Sequence, residues 1–393
     1  MRKMLLAAAA MALVTQVAAA QTVKIGILLG FTGPEESQAP GIYNGAALAI
    51  KEINASHAFL KGAKLVGIKG DDTCTDASAA VAAATRLVTS DHVDGIVGGH
   101  CSGVTGAVLQ SVARPNGIVM VSPSATSPSL STAPSDGLFF RTAPSDARQG
   151  QVMSDVLMKK GIKKVALTYT DNDYGKGLAD AFSAAYKKAG GTITVSLPHQ
   201  DGKADYSAEV ATLAAAGGDM LVVAGYADQG GKGIVQGALD TGAFSKFYLP
   251  DGMNTDAFLN HFGKALDGSL GDFGESNGKG FKAYVAEAKT AGFDGTAGYS
   301  AQGYDAAALI ALAMEAAHST KGSVYKNKIE AIANGPGVKI YAGQLAKGLK
   351  LLSEGKPINY QGASSVHLIG PDSAGTYRIY TIENGKRVTL YYE

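Results

Sequence analysis

The chain has 393 residues, 35 Lys+Arg against 34 Asp+Glu, and 46% hydrophobic residues. A formal charge of +1 excludes a strongly basic nucleic-acid binder or a ligand of anionic membrane surfaces. The length exceeds what one core usually organises, so two domains are expected.

Arg2 and Lys3 precede an apolar run from Leu5 to Val14, and Ala18-Ala19-Ala20 supplies small residues for cleavage. This is the pattern of a secretory signal peptide over residues 1–20, too short for a membrane span. Cleavage is expected to leave Gln21 first; losing Arg2 and Lys3 turns the net charge to −1. No cysteine lies near that point, so a periplasmic protein without a lipid anchor is expected. The two cysteines, Cys74 and Cys101, most simply form one disulfide in an exported chain.

Val23–Leu29 reads as a buried strand. Beyond a Gly/Pro-rich loop, Ile42, Ala46, Ala49, Ile50 and Ile53 recur at helical spacing. Lys64–Lys69 is a second strand, leading to Asp71-Asp72-Thr73-Cys74. Asp76 caps a helix whose inner face is expected to be Val81, Ala84 and Val88. Asp94–Val97 is a third strand and feeds Gly98-Gly99-His100-Cys101-Ser102. Ile118–Val121 is a fourth and runs into Ser122-Pro-Ser-Ala-Thr126. The rhythm restarts with a strand at Lys164–Thr170, then Asp173-Tyr174 and an Ala-rich helix. Strands follow at Thr192–Leu197, Met220–Ala224 and Phe247–Leu249, with a helix from about Ala204 between the first two. The last of them ends in Pro250-Asp251-Gly252. From Asn277 to Leu352 the chain reads as mostly helical, with strands returning at Val366–Leu368, Tyr377–Thr381 and Val388–Tyr391. Two rounds of strand–helix alternation predict an α/β protein with two parallel-sheet lobes. Crossings are placed near Thr142, Gly268 and Pro371. The lobes are then 21–142 with 269–371, and 143–268 with 372–393.

In open α/β sheets ligands bind beyond the carboxyl ends of strands. Those ends carry Gly98–Ser102 and Ser122–Thr126 in one lobe, and Asp173-Tyr174, Tyr226 and Asp251 in the other. A phosphate loop would need Gly-x-x-x-x-Gly-Lys-Ser/Thr, which is absent, and Pro34 and the acids after it suit no pyrophosphate. The seven histidines include no His-Glu-x-x-His and no i,i+4 pair, so no metal is expected. A Cys101–His100 nucleophile is disfavoured, because adjacent residues seldom face each other and Cys74 offers the thiol a simpler fate.

A carboxylate suits the helix start at Ser102, where unsatisfied N–H groups and a partial positive charge favour an anion. Thr126 can add a hydroxyl and backbone N–H groups. Asp251, on the opposite lobe, can bind an ammonium, with Tyr226 contributing its hydroxyl or its ring face. Together they describe a zwitterion, an α-amino acid. Taken singly, Ser102 could be a plain N-cap, Ser122–Pro128 a polar turn and Asp251 an Asp-Gly turn.

These residues carry a resemblance. Thr32-Gly33-Pro34, Asn44-Gly45-Ala46, Asp71-Asp72-Thr73-Cys74, Gly98–Ser102, Ser122–Thr126, Tyr174-Gly-Lys-Gly177 and Gly225-Tyr226 are similar to the leucine/isoleucine/valine-binding proteins of bacterial ABC uptake systems. The resemblance spans nearly all of residues 21–393. It implies the type I periplasmic binding protein fold, two Rossmann-like lobes joined by three hinge crossovers and closing on ligand. It implies a carboxylate site at Ser102, Ser124 and Thr126, an ammonium site at Tyr226 and Asp251, a cleft lined by Tyr174 and Tyr299, and a Cys74–Cys101 disulfide. The expected function is the solute-binding component of an amino-acid ABC transporter, for branched-chain or related amino acids. It would act as a monomer with an inner-membrane permease and cytoplasmic ATPases, without catalysis, cofactor or nucleic acid. Two departures bear on the ligand. The family often places an aromatic over the ligand side chain, where this chain has Glu35-Glu36-Ser37-Gln38, putting Gln38 or a neighbour there. Asp251 stands where the family often has Glu. A more polar amino acid, a small aromatic or aliphatic acid, or a ligand-sensing role are the alternatives.

Overall fold

The computed structural model describes residues 21–393; the expected signal peptide lies outside them. Five parallel strands form the first sheet: β1 (Thr22–Leu29), β2 (Lys64–Asp71), β3 (Gly95–Gly98), β4 (Met120–Ser122) and β5 (Phe139–Arg141). Their order is β2-β1-β3-β4-β5. The second sheet is built from β6 (Lys164–Thr170), β7 (Thr192–His199), β8 (Met220–Ala224), β9 (Phe247–Leu249) and β10 (Leu270–Gly274). Two further short sheets pair β11 (Val338–Tyr341) with β12 (Ile358–Gly362), and β13 (Leu368–Ile369) with β14 (Asp372–Ser373). The chain end adds β15 (Tyr377–Glu383) and β16 (Lys386–Tyr392) to the second sheet, antiparallel, giving the order β16-β15-β10-β9-β8-β6-β7.

The first helix, Ala39–Ser56, buries Ile42, Ala46, Ala49, Ile50 and Ile53, the face its period predicts. Pro40 sits in its first turn, where a missing N–H costs nothing. It packs on the helix Ser300–Ala317, buried from Ser300 to Glu315. Gly45 makes that contact possible: a Cβ there would lie 2.0 Å from the Ser300 carbonyl oxygen. Leu309, Ile310 and Leu312 are fully buried, each stabilising by about 1.5–3 kcal/mol.

Several expectations change. β10 lies in the second sheet, so the chain leaves that sheet after Gly274 rather than near Gly268. The helix capped by Asp76 turns Ala80, Ala84 and Leu87 inward, leaving Val81 and Val88 half-buried. The stretch from Asn277 to Leu352 is interrupted by β11, and β5, β10 and β12 were not anticipated.

Between the sheets the chain is tied together by buried polar groups. Arg141 Nε donates to Asp372 Oδ1 at 2.8 Å, while its Nη1 donates to the carbonyls of Ala125 and Ser127. Thr142 Oγ1 donates to the Gln302 carbonyl, and Gln302 Nε2 donates to the Gly274 carbonyl at 2.6 Å. Three passages of chain are thereby held by two side-chain clamps.

Candidate functional site: a cleft between the lobes

The carboxyl ends of β1, β3 and β4 face those of β6, β8 and β9 across a small cavity. Glu35, Gln38, His100, Cys101, Ser102 and Ser124 form one wall. Tyr174, Tyr226, Asp251 and Gly252 form the other, and Tyr299 closes an end. No Lys or Arg side chain is among these lining residues.

β3 ends in Gly98 at φ 138°, where a Cβ would lie 2.1 Å from the Leu28 carbonyl oxygen; only glycine brings the loop this close to β1. The loop then reverses into the helix Ser102–Val108, with Cys101, not Ser102, as its N-cap. Ser102 Oγ accepts the backbone N–H groups of Thr126 at 3.2 Å and Ser127 at 3.0 Å. With its lone pairs engaged, the Ser102 hydroxyl proton is free to be donated into the cavity. Ser124 Oγ donates to the His100 carbonyl at 2.9 Å, so its hydroxyl is already committed. The Thr126 amide is taken by Ser102, and Thr126 is not among the lining residues. Its buried Oγ1 has no partner among the described residues.

Cys74 and Cys101 are disulfide-bonded, so Cys101 offers no thiol. Asp72, buried beneath this loop, accepts the N–H groups of Cys74 and His100 at 3.0 and 2.8 Å. Burial still raises its carboxyl to about 6. His100 Nδ1 accepts the Gly30 N–H, which leaves the proton on Nε2, facing Gln38 Oε1 at 3.0 Å. Burial lowers His100 to about 4, so the ring is neutral at pH 7.

On the opposite wall, Asp251 follows β9 in a tight turn. Tyr174 donates to its Oδ1 at 2.7 Å and Tyr299 to its Oδ2 at 2.6 Å. Tyr174 also accepts the Gly252 N–H at 3.1 Å, and its ring stacks on Tyr226 with centroids 5.1 Å apart. Burial raises Asp251, and the two tyrosine hydroxyls oppose that rise. Each oxygen keeps a lone pair for one more donor, and an ammonium supplies three. Tyr226 frames this face of the cavity with its ring.

Sequence reasoning missed Glu35 as a wall residue. Its Oε1 accepts the Ala227 N–H at 3.0 Å from the other lobe. Asp228 reinforces the junction: its N–H donates to the Pro34 carbonyl at 3.1 Å and its Oδ2 accepts the Ser37 N–H at 2.9 Å. The first loop thus acts as a lid. Burial raises Glu35 well above the ordinary carboxylate range, and neighbouring Asp228 and Asp251 add to that.

The family model described as "Periplasmic binding protein" matches residues 22–343. A Leu/Ile/Val-binding protein of Citrobacter freundii is 31% identical over 269 residues, 68% of this chain and 72% of that one. Among solved structures, a branched-chain amino acid transporter substrate-binding protein of Streptococcus pneumoniae, in complex with isoleucine, superposes with a TM-score of 0.77. It is 24% identical, with 95% of this chain and 99% of that one covered. A solute-binding protein of an ABC transporter from Rhodopseudomonas palustris, in complex with p-hydroxybenzoic acid, gives 0.76 at 19% identity, covering 95% and 97%.

Proposed function

The chain belongs to the periplasmic binding protein family, and from that premise we propose that it is the solute-binding component of an ABC uptake system for α-amino acids of the branched-chain or a related class. One observation carries the reading. Asp251 and the Ser102 hydroxyl line the same small cavity from opposite lobes, and no cation lines it. A ligand carboxylate would take the Ser102 hydroxyl and the free amides at the start of its helix. A ligand ammonium would complete Asp251. Ser124 contributes backbone only, since its hydroxyl is committed, and Thr126 supports Ser102 from behind.

Such a protein needs no chemistry of its own. It captures, closes and hands over to an inner-membrane permease driven by cytoplasmic ATPases, working as a periplasmic monomer after removal of residues 1–20. The lobes move about the clamps at Arg141 and Thr142. A second reading, a carrier of small aromatic acids, is favoured by the likeness to the p-hydroxybenzoic acid complex and by the three tyrosines around Asp251.

Titration calorimetry separates the two. Amino acids should bind, and the same molecules lacking the α-amino group should bind at least about a hundredfold more weakly, the loss of a buried charge partner. Equal binding of the deaminated analogues, or tighter binding of 4-hydroxybenzoate, would overturn the amino-acid reading.

A further inference from the structure

We propose that the cavity is built for an amino acid whose side chain carries a second, protonated nitrogen, with Glu35 as the residue that selects it. The inference rests on the amino-acid reading above and names the class within it.

The lining residues include two acids and no cation, since the buried His100 ring is neutral. Asp251 accounts for one ligand charge, the α-ammonium. The ligand carboxylate is met by neutral donors. Glu35 then remains as a second acid with no counter-charge on either wall. Its Oε1 is held by the Ala227 N–H, while its Oε2 is buried and has no partner among the described residues. Burying that acid without a partner is costly and pushes it toward its neutral form, and an apolar ligand side chain would seal that cost in. A nitrogen bearing protons removes it.

The position fits the far end of a ligand. Glu35 belongs to the lid loop after β1, whereas the two ends of a zwitterion are placed by β3 and β9. Glu35 is thus a third point of contact beside those two ends. Here the lid offers Glu35 and Gln38, both buried, and Gln38 Oε1 is already turned toward the His100 Nε2–H. Glu35 is the free acceptor of the pair.

Glu35 also bridges the lobes through Ala227, so a purely mechanical role must be told apart from recognition. Calorimetry of the full mature protein with ornithine, lysine, leucine and norleucine does this, repeated for Glu35→Gln. Gln retains an oxygen for the Ala227 N–H but loses the charge. The wild-type protein should bind ornithine or lysine at least about tenfold more tightly than norleucine or leucine. Glu35→Gln should remove that preference, weakening the diamino acids by at least about tenfold and leucine by less than about threefold. Leucine binding as tightly as the diamino acids overturns this inference and leaves the amino-acid reading standing. An equal loss for every ligand in Glu35→Gln makes Glu35 a latch only and also overturns it. Failure of all α-amino acids to outbind their deaminated analogues removes the underlying reading, and this inference with it.

Discussion

Asp251 and Ser102 carry opposite demands, and each makes a separate expectation. Asp251→Asn keeps the shape and both tyrosine partners' contacts but removes the charge. Affinity for an amino acid should fall by about 2–5 kcal/mol as read by calorimetry, and a change near zero would remove Asp251 from the site. Ser102→Ala should act differently. It deletes the donor to the ligand and also strands the Thr126 and Ser127 N–H groups, so binding and thermal stability should drop together. Protection of binding with loss of stability alone would leave Ser102 a structural residue. His100 provides a check on the buried wall. Its value of about 4 means that its imidazole resonances should stay in the neutral form from about pH 8 to about 5. The sign follows: a lowered histidine contributes stability above its unfolded value near 6.5, and that contribution is lost as pH falls through 6.5 toward 4.

At the scale of elements, the clamps between the sheets are the exposed point of the design. Arg141 is fully buried and ties the end of β5 to Asp372. Arg141→Met should destabilise by about 3–5 kcal/mol in denaturant unfolding, because Asp372 and two carbonyls lose their donor. A loss under 1 kcal/mol would show that the passages hold together without it. The same residue explains what could and could not be read in advance. The face of Ala39–Ser56 was legible because five apolar residues repeat at one period within 12 positions. β5 was not, because Phe-Phe-Arg is short and its buried arginine depends on carbonyls 14 and 16 positions back and on Asp372, 231 positions away. β10, Leu-Gly-Asp-Phe-Gly, has two glycines and an acid and little intrinsic strand preference. Its place is set by β9 and β15 instead. Ser102, Tyr174, Tyr226, Asp251 and Tyr299 were legible from strand ends and resemblance, and the structure gathers them around one cavity. Glu35 was not, since its burial comes from Ala227, 192 positions on.

For the whole molecule, closure gathers acids. Glu35 and Asp251 in the cavity, and Asp146 and Asp272 nearby, are all buried, and burial raises all four. A raised carboxyl contributes stability below its unfolded value, near 4, and that contribution is lost as pH rises through the raised value. The ligand-free protein should therefore lose thermal stability as pH rises above the histidine range and these acids are forced to ionise in place. An amino acid should narrow the gap by supplying positive charge. A melting temperature that instead rises with pH above the histidine range without ligand would contradict this electrostatic account. All of it depends on a ligand held by its two ends between the lobes. The crystal structure of the protein with its amino acid bound tests that most directly. The carboxylate should lie within hydrogen-bond distance of Ser102 Oγ, and the α-nitrogen within hydrogen-bond distance of an Asp251 oxygen. A ligand lodged outside the inter-lobe cavity, or one whose nitrogen makes no contact with Asp251, would contradict it.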